Sequence, residues 1–254
     1  MEKSKIIVLI GGTATGKDTI RQGLMASRKY HSVVSYTSRP IRDDEIDHQS
    51  YHFINNEEMD KLIHSDKMLE NTEYLVDGVS FRYCLTKDCF KDDMDNIVII
   101  NPIGLKQIIK NDPSIIERLH VFYIQCYKDI IYKRYMDREK KVKDYDALMR
   151  RYEDRIKQDQ KDFADLEDFL KNNNIKFNII LNLVTEKSLP KIKTALAMNG
   201  NLIGKKIKII EMQGEPNYTG RVGVIQKIDD MKQLHGTWGN LAIVPKVDLF
   251  EEVN

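Results

Sequence analysis

Ile6-Ile7-Val8-Leu9-Ile10-Gly11-Gly12-Thr13-Ala14-Thr15-Gly16-Lys17-Asp18-Thr19 is the stretch whose reading decides the fold. Five apolar residues in a row suit a strand buried on both faces, and Ile20, Leu24 and Met25 then recur at helical spacing. Strand, glycine-bounded loop and a helix beginning near Gly16 is the context in which G-x-x-x-x-G-K reads as a phosphate cradle rather than a simple turn. Gly11 and Gly16 let the backbone turn tightly, so successive amides from Gly12 through Thr13, Ala14 and Thr15 aim at phosphate oxygens. The helix N-terminus adds its partial positive charge. Lys17 would reach the outer phosphates as a mobile cation. The place after the lysine, normally Ser or Thr in a magnesium shell, is Asp18. Its carboxylate, directly or through water, and the neighbouring Thr19 hydroxyl are the expected metal ligands.

A second phosphate-binding feature follows closely. In Val34-Ser35-Tyr36-Thr37-Ser38-Arg39-Pro40-Ile41-Arg42, two arginines flank a proline in an extended polar stretch, and Tyr51 stands nine residues on. Guanidinium groups bind phosphate in bidentate fashion and a phenol adds a donor, although arginines in such a loop also serve as plain surface charge. Two phosphate sites in tandem suggest a kinase whose acceptor is itself a phosphorylated small molecule.

The wider string Ser35-Tyr36-Thr37-Ser38-Arg39-x-x-Arg42-x-x-Glu45-x-x-x-x-x-Tyr51-x-Phe53 resembles the GMP-binding segment of guanylate kinases, with the same internal spacing. The resemblance covers roughly residues 5 to 195 and is most specific in its first third. It implies that Arg39, Arg42 and Tyr51 hold the acceptor phosphate and that Ser35 faces the base. Asn55-Asn56-Glu57-Glu58-Met59 continues into a short helix, as in that family. Met68-Leu69-Glu70 resembles its phenylalanine-(leucine or isoleucine)-glutamate, which implies that Glu70 accepts from guanine N1 and N2. Departures are equally concrete. Where the family has Asp-x-Asp-x-Gln-Gly, this chain has Ile99-Ile100-Asn101-Pro102-Ile103-Gly104, so Asn101 replaces an aspartate that assists guanine reading and Ile99 a carboxylate near the metal. The family's Tyr-Gly-Thr becomes Tyr83-Cys84-Leu85, with the hydroxyl shifted to Thr86. An amide offers both a donor and an acceptor, so Asn101 leaves other bases conceivable.

Lys128 to Lys161 is almost uninterrupted helix former, broken near Lys143 to Asp146, with twelve basic and eight acidic residues. Arg134 and Arg138 share a helix face, as do Arg151 and Arg155. A charge run alone reads as a solvated helical hairpin. Here Ile130-x-x-x-Arg134-x-x-x-Arg138, then Leu148-x-x-Arg151, resembles the lid and return helix of nucleoside monophosphate kinases. That likeness implies charge neutralisation on the transferring phosphoryl group by Arg134, Arg138 and Arg151, and closure that excludes water.

The predicted fold is therefore α/β: a parallel sheet flanked by helices, with an acceptor-binding subdomain at about residues 35–90 and a helical lid at about 128–160, followed by a small all-β unit. Strands are expected at Lys5–Ile10, His31–Tyr36, Ile97–Ile100, Leu119–Ile124 and Phe177–Leu181, with shorter ones near Glu73–Val76 and Ser80–Leu85. The kinase domain is expected to span residues 1–198. Residues 202–254 read as alternating strands at 203–210, 221–225, 234–238 and 241–244 around a turn-rich 214–220. This part looks like an SH3-type barrel and resembles a small uncharacterised domain of bacterial and phage proteins. Tyr218, His235 and Trp238 offer either a binding surface or, for Trp238, a core position. Forty basic and thirty-nine acidic residues leave a formal charge of +1, which argues against general nucleic-acid binding. No apolar stretch is long enough for a membrane span, and the three cysteines lack metal-type spacing, which together imply a cytoplasmic protein with free thiols. The expected activity is ATP- and Mg²⁺-dependent phosphorylation of a nucleoside monophosphate, most directly GMP or dGMP. The rivals are a deoxynucleoside monophosphate kinase with relaxed base choice and a catalytically silent binding module.

Overall fold

The structure, a computed structural model, describes residues 4–26, 30–41, 45–76 and 79–253. Its elements are β1 (Ile6–Ile10), α1 (Lys17–Met25), β2 (His31–Ser32), β3 (Tyr36–Thr37), β4 (His52–Phe53), α2 (Asn56–Ile63), β5 (Met68–Val76), β6 (Val79–Thr86), β7 (Asn96–Ile99), α3 (Pro102–Asn111), β8 (Leu119–Gln125), α4 (Lys128–Arg138), α5 (Tyr145–Phe163), α6 (Leu166–Asn172), β9 (Phe177–Leu181), α7 (Thr185–Ala197), β10 (Lys206–Glu211), β11 (Val222–Ile228), β12 (Leu234–Gly236) and β13 (Leu249–Glu252).

The first sheet runs β2-β7-β1-β8-β9, with β1 parallel to both β7 and β8 and β2 parallel to β7. All five residues of β1 are buried, as their unbroken apolar run requires of a central parallel strand. Ile6, Val8 and Ile10 pack with Val98 and Val121 of the flanking strands, Leu105 and Ile108 of α3, and Leu166 and Leu170 of α6. Because the strands are parallel, the residues that follow β1, β7 and β8 (Gly11, Asn101 and Cys126) emerge at one edge, where open α/β sheets bind ligands.

The strand expected at His31–Tyr36 is divided. Val33 still donates to the Ile97 carbonyl at 2.8 Å, but by Tyr36 the chain has crossed to a second sheet of order β4-β3-β6-β5. There Tyr36 pairs with Cys84 and Thr37 with Tyr83, antiparallel, while β4 lies parallel to β3. The β5–β6 hairpin is longer than its apolar pattern suggested, because its first half carries the polar residues Glu70, Asn71 and Thr72. α2 starts with a capping box: Asn55 Oδ1 accepts from the Glu58 amide at 2.9 Å and Glu58 Oε2 from the Asn55 amide at 3.0 Å.

The chain folds as two compact units, Met1–Arg21 with Lys29–Ile179 and Gln22–Arg28 with Ile180–Asn254. The second contains the antiparallel sheet β12-β11-β10-β13. Residues 241–244 form only a bridge between Ile243 and Leu234, and the edge place is taken by β13, which the sequence pattern does not announce. Trp238 is 3 % exposed and packs with Ile207, Ile225 and Phe250, so it is a core residue of this unit; its Nε1 donates to the Leu241 carbonyl at 2.9 Å. His235 is held by Asp229 at 2.8 Å. None of the three cysteines is in a disulfide, and among the described residues no helix is long and apolar enough to cross a membrane.

Helix α7 precedes the expected boundary at 198–202 and is bonded to the strand beyond it. Thr194 Oγ1 accepts from the Phe250 amide and donates to the Phe250 carbonyl, both at 2.9 Å. A helix thereby covers the outer side of an edge strand that would otherwise expose unpaired backbone groups. Thr194→Val keeps the shape and strands two buried backbone groups. It should lower unfolding stability by about 1–3 kcal/mol, read as a fall in the denaturation midpoint. An unchanged midpoint would show that this contact is dispensable.

Candidate functional site

Ala14 has φ 53° and Gly16 φ 92°. Two left-handed residues within three positions turn the loop sharply, and a non-glycine residue in that region is a mark of stored strain. Gly11 is required for a different reason: a Cβ there would run into the carbonyl of Ile124 on β8. Thr15 Oγ1 donates to the Gly12 carbonyl at 2.9 Å and ties the loop across itself. Lys17 folds inward, its Nζ donating to the carbonyls of Gly11 and Gly12, each at 2.8 Å. Burial pushes its ammonium down to about 8, opposed by the charges of Asp18 and Asp159 and assisted by Arg155 and Arg138. The Thr13 amide donates to Asp159 Oδ2 at 2.6 Å, so a carboxylate from α5 sits on the loop. Asp18 is 73 % exposed at the start of α1 and pairs with Arg21 at 3.2 Å; Thr19 beside it is exposed.

Arg39 is 8 % exposed and grips Glu45 in bidentate fashion, with Nη1 donating to Oε2 at 2.6 Å and Nη2 to Oε1. Nη1 also donates to the Pro40 carbonyl at 3.0 Å, which engages three of the five guanidinium donors. The guanidinium lies 4.9 Å over the Tyr51 ring and 5.4 Å over Phe53. Tyr51 packs edge-on to Tyr83 at 5.7 Å, and burial pushes its phenol up to about 12, so its O–H remains a donor throughout the physiological range. Arg42, expected to share the acceptor phosphate, lies outside the described residues. Ser35 is half-buried where the chain crosses between sheets, and its carbonyl accepts from the His52 amide at 2.9 Å.

Glu70, Thr72 and Tyr74 alternate along β5 and so share one face, with Tyr83 directly opposite Thr72 on β6. Glu70 is only 4 % exposed; Thr72 Oγ1 donates to its Oε1 at 2.8 Å, yet burial outweighs this and lifts the carboxyl to about 7. Gly104, in the first turn of α3, lies against it: a Cβ there would stand 2.9 Å from Glu70 Cγ. Asn101 caps α3, its Oδ1 accepting from the Gly104 amide at 2.6 Å, while its Nδ2 donates to the Tyr74 hydroxyl. Both ends of the Asn101 amide therefore already hold partners in the protein. Thr86, expected to provide the displaced hydroxyl, instead turns to Cys89 Sγ at 3.4 Å. Thr72 is the hydroxyl beside the carboxyl. Its signal was the period-two string Glu70-x-Thr72-x-Tyr74, masked because the strand was expected to begin later.

The basic hairpin of α4 and α5 is held by tyrosines. Tyr152 packs edge-on to Tyr132 at 5.4 Å and against Tyr135 at 5.2 Å, and the Tyr132 and Tyr145 hydroxyls meet at 3.2 Å. Arg134 Nη1 donates to the Thr15 carbonyl at 3.3 Å, which brings α4 to the phosphate loop. Arg138 lies 5.1 Å over the Tyr135 ring and pairs with Glu139 at 3.0 Å; Arg151 is exposed on α5, and the charges of both act on the Tyr135 phenol. Asp159, one turn beyond Arg155, is in sequence only one member of the charge run.

A glycine loop at the carboxyl edge of a parallel sheet, a separate small sheet carrying a buried arginine and a buried carboxyl, and a basic helical hairpin reaching the loop define a P-loop fold of the nucleoside monophosphate kinase class. The guanylate kinase family profile matches residues 3–196. The chain belongs to the guanylate kinase family. In fold it is similar to the crystal structure of guanylate kinase from Anaplasma phagocytophilum, with a TM-score of 0.52 and 18 % identity over 77 % of this chain and 86 % of that one.

The left-handed loop and inward lysine fit a nucleotide's phosphates. The donor set for magnesium is sparse: Asp18 and Thr19 are side by side, and no cluster of three or more acidic, His or Cys residues that would hold a metal exists among the described residues. That fits a cation that keeps several waters and is carried mainly by substrate phosphates.

The Glu70 carboxyl has a thermodynamic signature. Its folded value of about 7 lies above the ordinary 4.5, so its contribution to stability is fully present below about 4.5 and is lost as pH rises through 7. At pH 8 the ionised group costs up to about 3 kcal/mol by the linkage relation. Glu70→Gln retains the acceptor for Thr72 and removes that cost. The variant should melt higher than the native protein at pH 8, with the difference closing toward pH 4.5. Parallel melting curves across this range would show Glu70 to be unburdened.

Proposed function

We propose that this protein transfers the γ-phosphoryl group of ATP to GMP or dGMP, giving ADP and the nucleoside diphosphate. The observation that carries the base assignment is the buried Glu70 carboxyl, accompanied by the Thr72 hydroxyl, on the sheet face that continues through Tyr83 and Tyr51 to Arg39. An ionised carboxylate offers two acceptors to the N1–H and N2–H₂ edge of guanine, whereas adenine presents an acceptor at N1 and would leave buried polar groups unpaired. Arg39 and Tyr51 take the acceptor phosphate at the other end, with Arg42 and Tyr83 as further donors. Ser35 and Asn101 frame the base pocket, Asn101 by holding the start of α3 and the Tyr74 hydroxyl in place.

ATP lies along Gly11 to Thr19. An oxygen of the acceptor phosphate attacks the γ-phosphorus in line; the new P–O bond forms as the bond to the β,γ-bridging oxygen breaks, and ADP leaves with that electron pair. A phosphate nucleophile is already anionic near neutral pH, so no general base is required. Lys17, Arg134, Arg138 and Arg151 neutralise charge as it spreads over the transferring group. Asp18 and Thr19 would hold the magnesium ion that accompanies ATP, whose charge, when bound, offsets that of the outer phosphates. The kinase part is assigned to residues up to about 198, the remainder being a β unit of SH3 type, and the whole reaction is consistent with a cytoplasmic setting.

The decisive test is phosphoryl transfer from ATP against a panel of ribo- and deoxynucleoside monophosphates. GMP and dGMP should be preferred, and a native preference for thymidylate or an adenine acceptor would overturn the base assignment alone. Lys17→Ala should lower turnover by several orders of magnitude with the fold intact; an active variant would refute the loop's role. The two pH limbs should separate. kcat/KM for GMP should fall below about pH 7, where Glu70 takes up its proton, and that limb should vanish in Glu70→Gln. kcat/KM for ATP should fall above about pH 8, as Lys17 loses its charge.

A further inference from the structure

Arg155 and Asp159 stand one helical turn apart on α5 and reach toward different parts of the site. The Thr13 amide donates to Asp159 Oδ2 at 2.6 Å, and Arg155 Nε lies 3.6 Å from Asp159 Oδ1. A Cβ on Gly12 would stand 2.9 Å from Asp159 Oδ2, so this carboxylate occupies the glycine-lined cradle itself and not its rim. The Asp159 side chain is 14 % exposed; burial lifts its carboxyl above the usual carboxylate range, opposed by the Thr13 amide and by the charges of Arg155 and Lys17. On the other side the Arg155 guanidinium lies 5.3 Å over the ring of Tyr74, whose hydroxyl takes the Asn101 amide beside Glu70. Arg155 thus stands between the donor loop and the acceptor pocket, and its charge also acts on Lys17.

A loop amide and an arginine at one half-buried carboxylate, with the charge of a nearby lysine acting on it, are the kind of partners a phosphate oxygen takes. An aspartate and a triphosphate cannot share them, because like charges at contact distance repel strongly in a partly desolvated site. We propose that Asp159 is an internal stand-in for nucleotide phosphate on the loop, and that Arg155 is a further phosphate-neutralising residue which the incoming triphosphate takes over from it. This rests on the reading that the loop receives ATP, and it adds two residues that composition and spacing leave in a solvated charge run. Exchange of partners, with no covalent step, converts the internally paired loop into the loaded one. Because Asp159 and Arg155 are both on α5, nucleotide arrival is felt directly by the lid.

The test is equilibrium binding of ATP, measured calorimetrically without an acceptor on the full chain, with unfolding midpoints certifying each variant. Asp159→Asn keeps shape and removes the charge. ATP affinity should rise about tenfold, the scale of one charge-assisted hydrogen bond no longer displaced. Asp154→Asn, an exposed carboxylate on the same helix, should leave ATP affinity unchanged. Arg155→Gln should weaken ATP binding about tenfold, as a lost charge-assisted contact to phosphate would. Unchanged or weaker binding in Asp159→Asn overturns the stand-in, as does an equal gain in Asp154→Asn, which would reduce the effect to net charge. Unchanged binding in Arg155→Gln overturns the handover. Failure of the native chain to bind ATP would sink the loop's assignment together with this proposal, whereas the variant outcomes sink this proposal alone.

Discussion

Everything in the first unit converges on a demand for negative charge at the carboxyl edge of the parallel sheet. The loop after β1 turns its amides inward, Lys17 is drawn into the same space with its ammonium depressed by burial, and Arg134 of α4 closes on the Thr15 carbonyl. Donors and cations gathered away from water carry a desolvation cost unless an anion joins them. In this structure that anion is Asp159 at the Thr13 amide, with the Gly11 and Gly12 carbonyls accepting from Lys17. At the proposed acceptor site the arrangement is similar: Arg39 is buried and held by Glu45.

Such internal pairing lets the two proposed phosphate sites coexist with a stable fold. A carboxylate carries one charge and sits on a short side chain anchored to its own helix or loop, while a nucleotide's outer phosphates bring more charge and more acceptor oxygens to the same donors. The balance therefore tips only when a highly charged ligand is present. The α5 helix is where this matters for geometry, because the carboxylate that leaves the loop and the guanidinium that stays belong to the same turn. The tyrosine cluster formed by Tyr132, Tyr135, Tyr145 and Tyr152 packs α4 against α5, the helix that carries Asp159.

The parts of this architecture that sequence made legible are those fixed by local periodicity. An unbroken apolar run followed by G-x-x-x-x-G-K leaves little freedom, and β1, the loop and α1 lie where the pattern puts them. α2 was expected only from the family resemblance at Asn55 to Met59, and the structure shows what starts it, the reciprocal Asn55 and Glu58 bonds. What escaped was set by partners distant in the chain. His31 to Tyr36 reads as one strand, but its two ends pair with different sheets, at Asn96 and at Cys84. β13 is short and acidic at its end, with no alternation to announce it; its place is secured by β10 and by Thr194, more than fifty residues away. Asp159 was hidden for the opposite reason: among twenty charged side chains in the hairpin, only the three-dimensional approach of α5 to Gly12 and Thr13 separates it from a solvated one.

The acceptor pocket shows why a departure in sequence need not be a departure in chemistry. Asn101 stands where an aspartate would assist base reading, and its amide invites the thought of a second, more permissive reader. Its oxygen is instead committed to the first turn of α3 and its nitrogen to Tyr74, so in the proposed reading the discrimination rests on Glu70 with Thr72 at its side. Burial, against the opposing effect of the Thr72 donor, lifts the Glu70 carboxyl to about 7 and leaves it poised between neutral and ionised forms, with Gly104 pressed against its methylene. A base presenting two donors stabilises the ionised form and gains from it; a base presenting an acceptor meets either a repelling lone pair or a carboxyl that must first take up a proton. On the proposed reading, selectivity rests on the protonation state of one buried group, and the desolvation cost of ionising it before a base arrives is the part of the recognition energy the fold supplies.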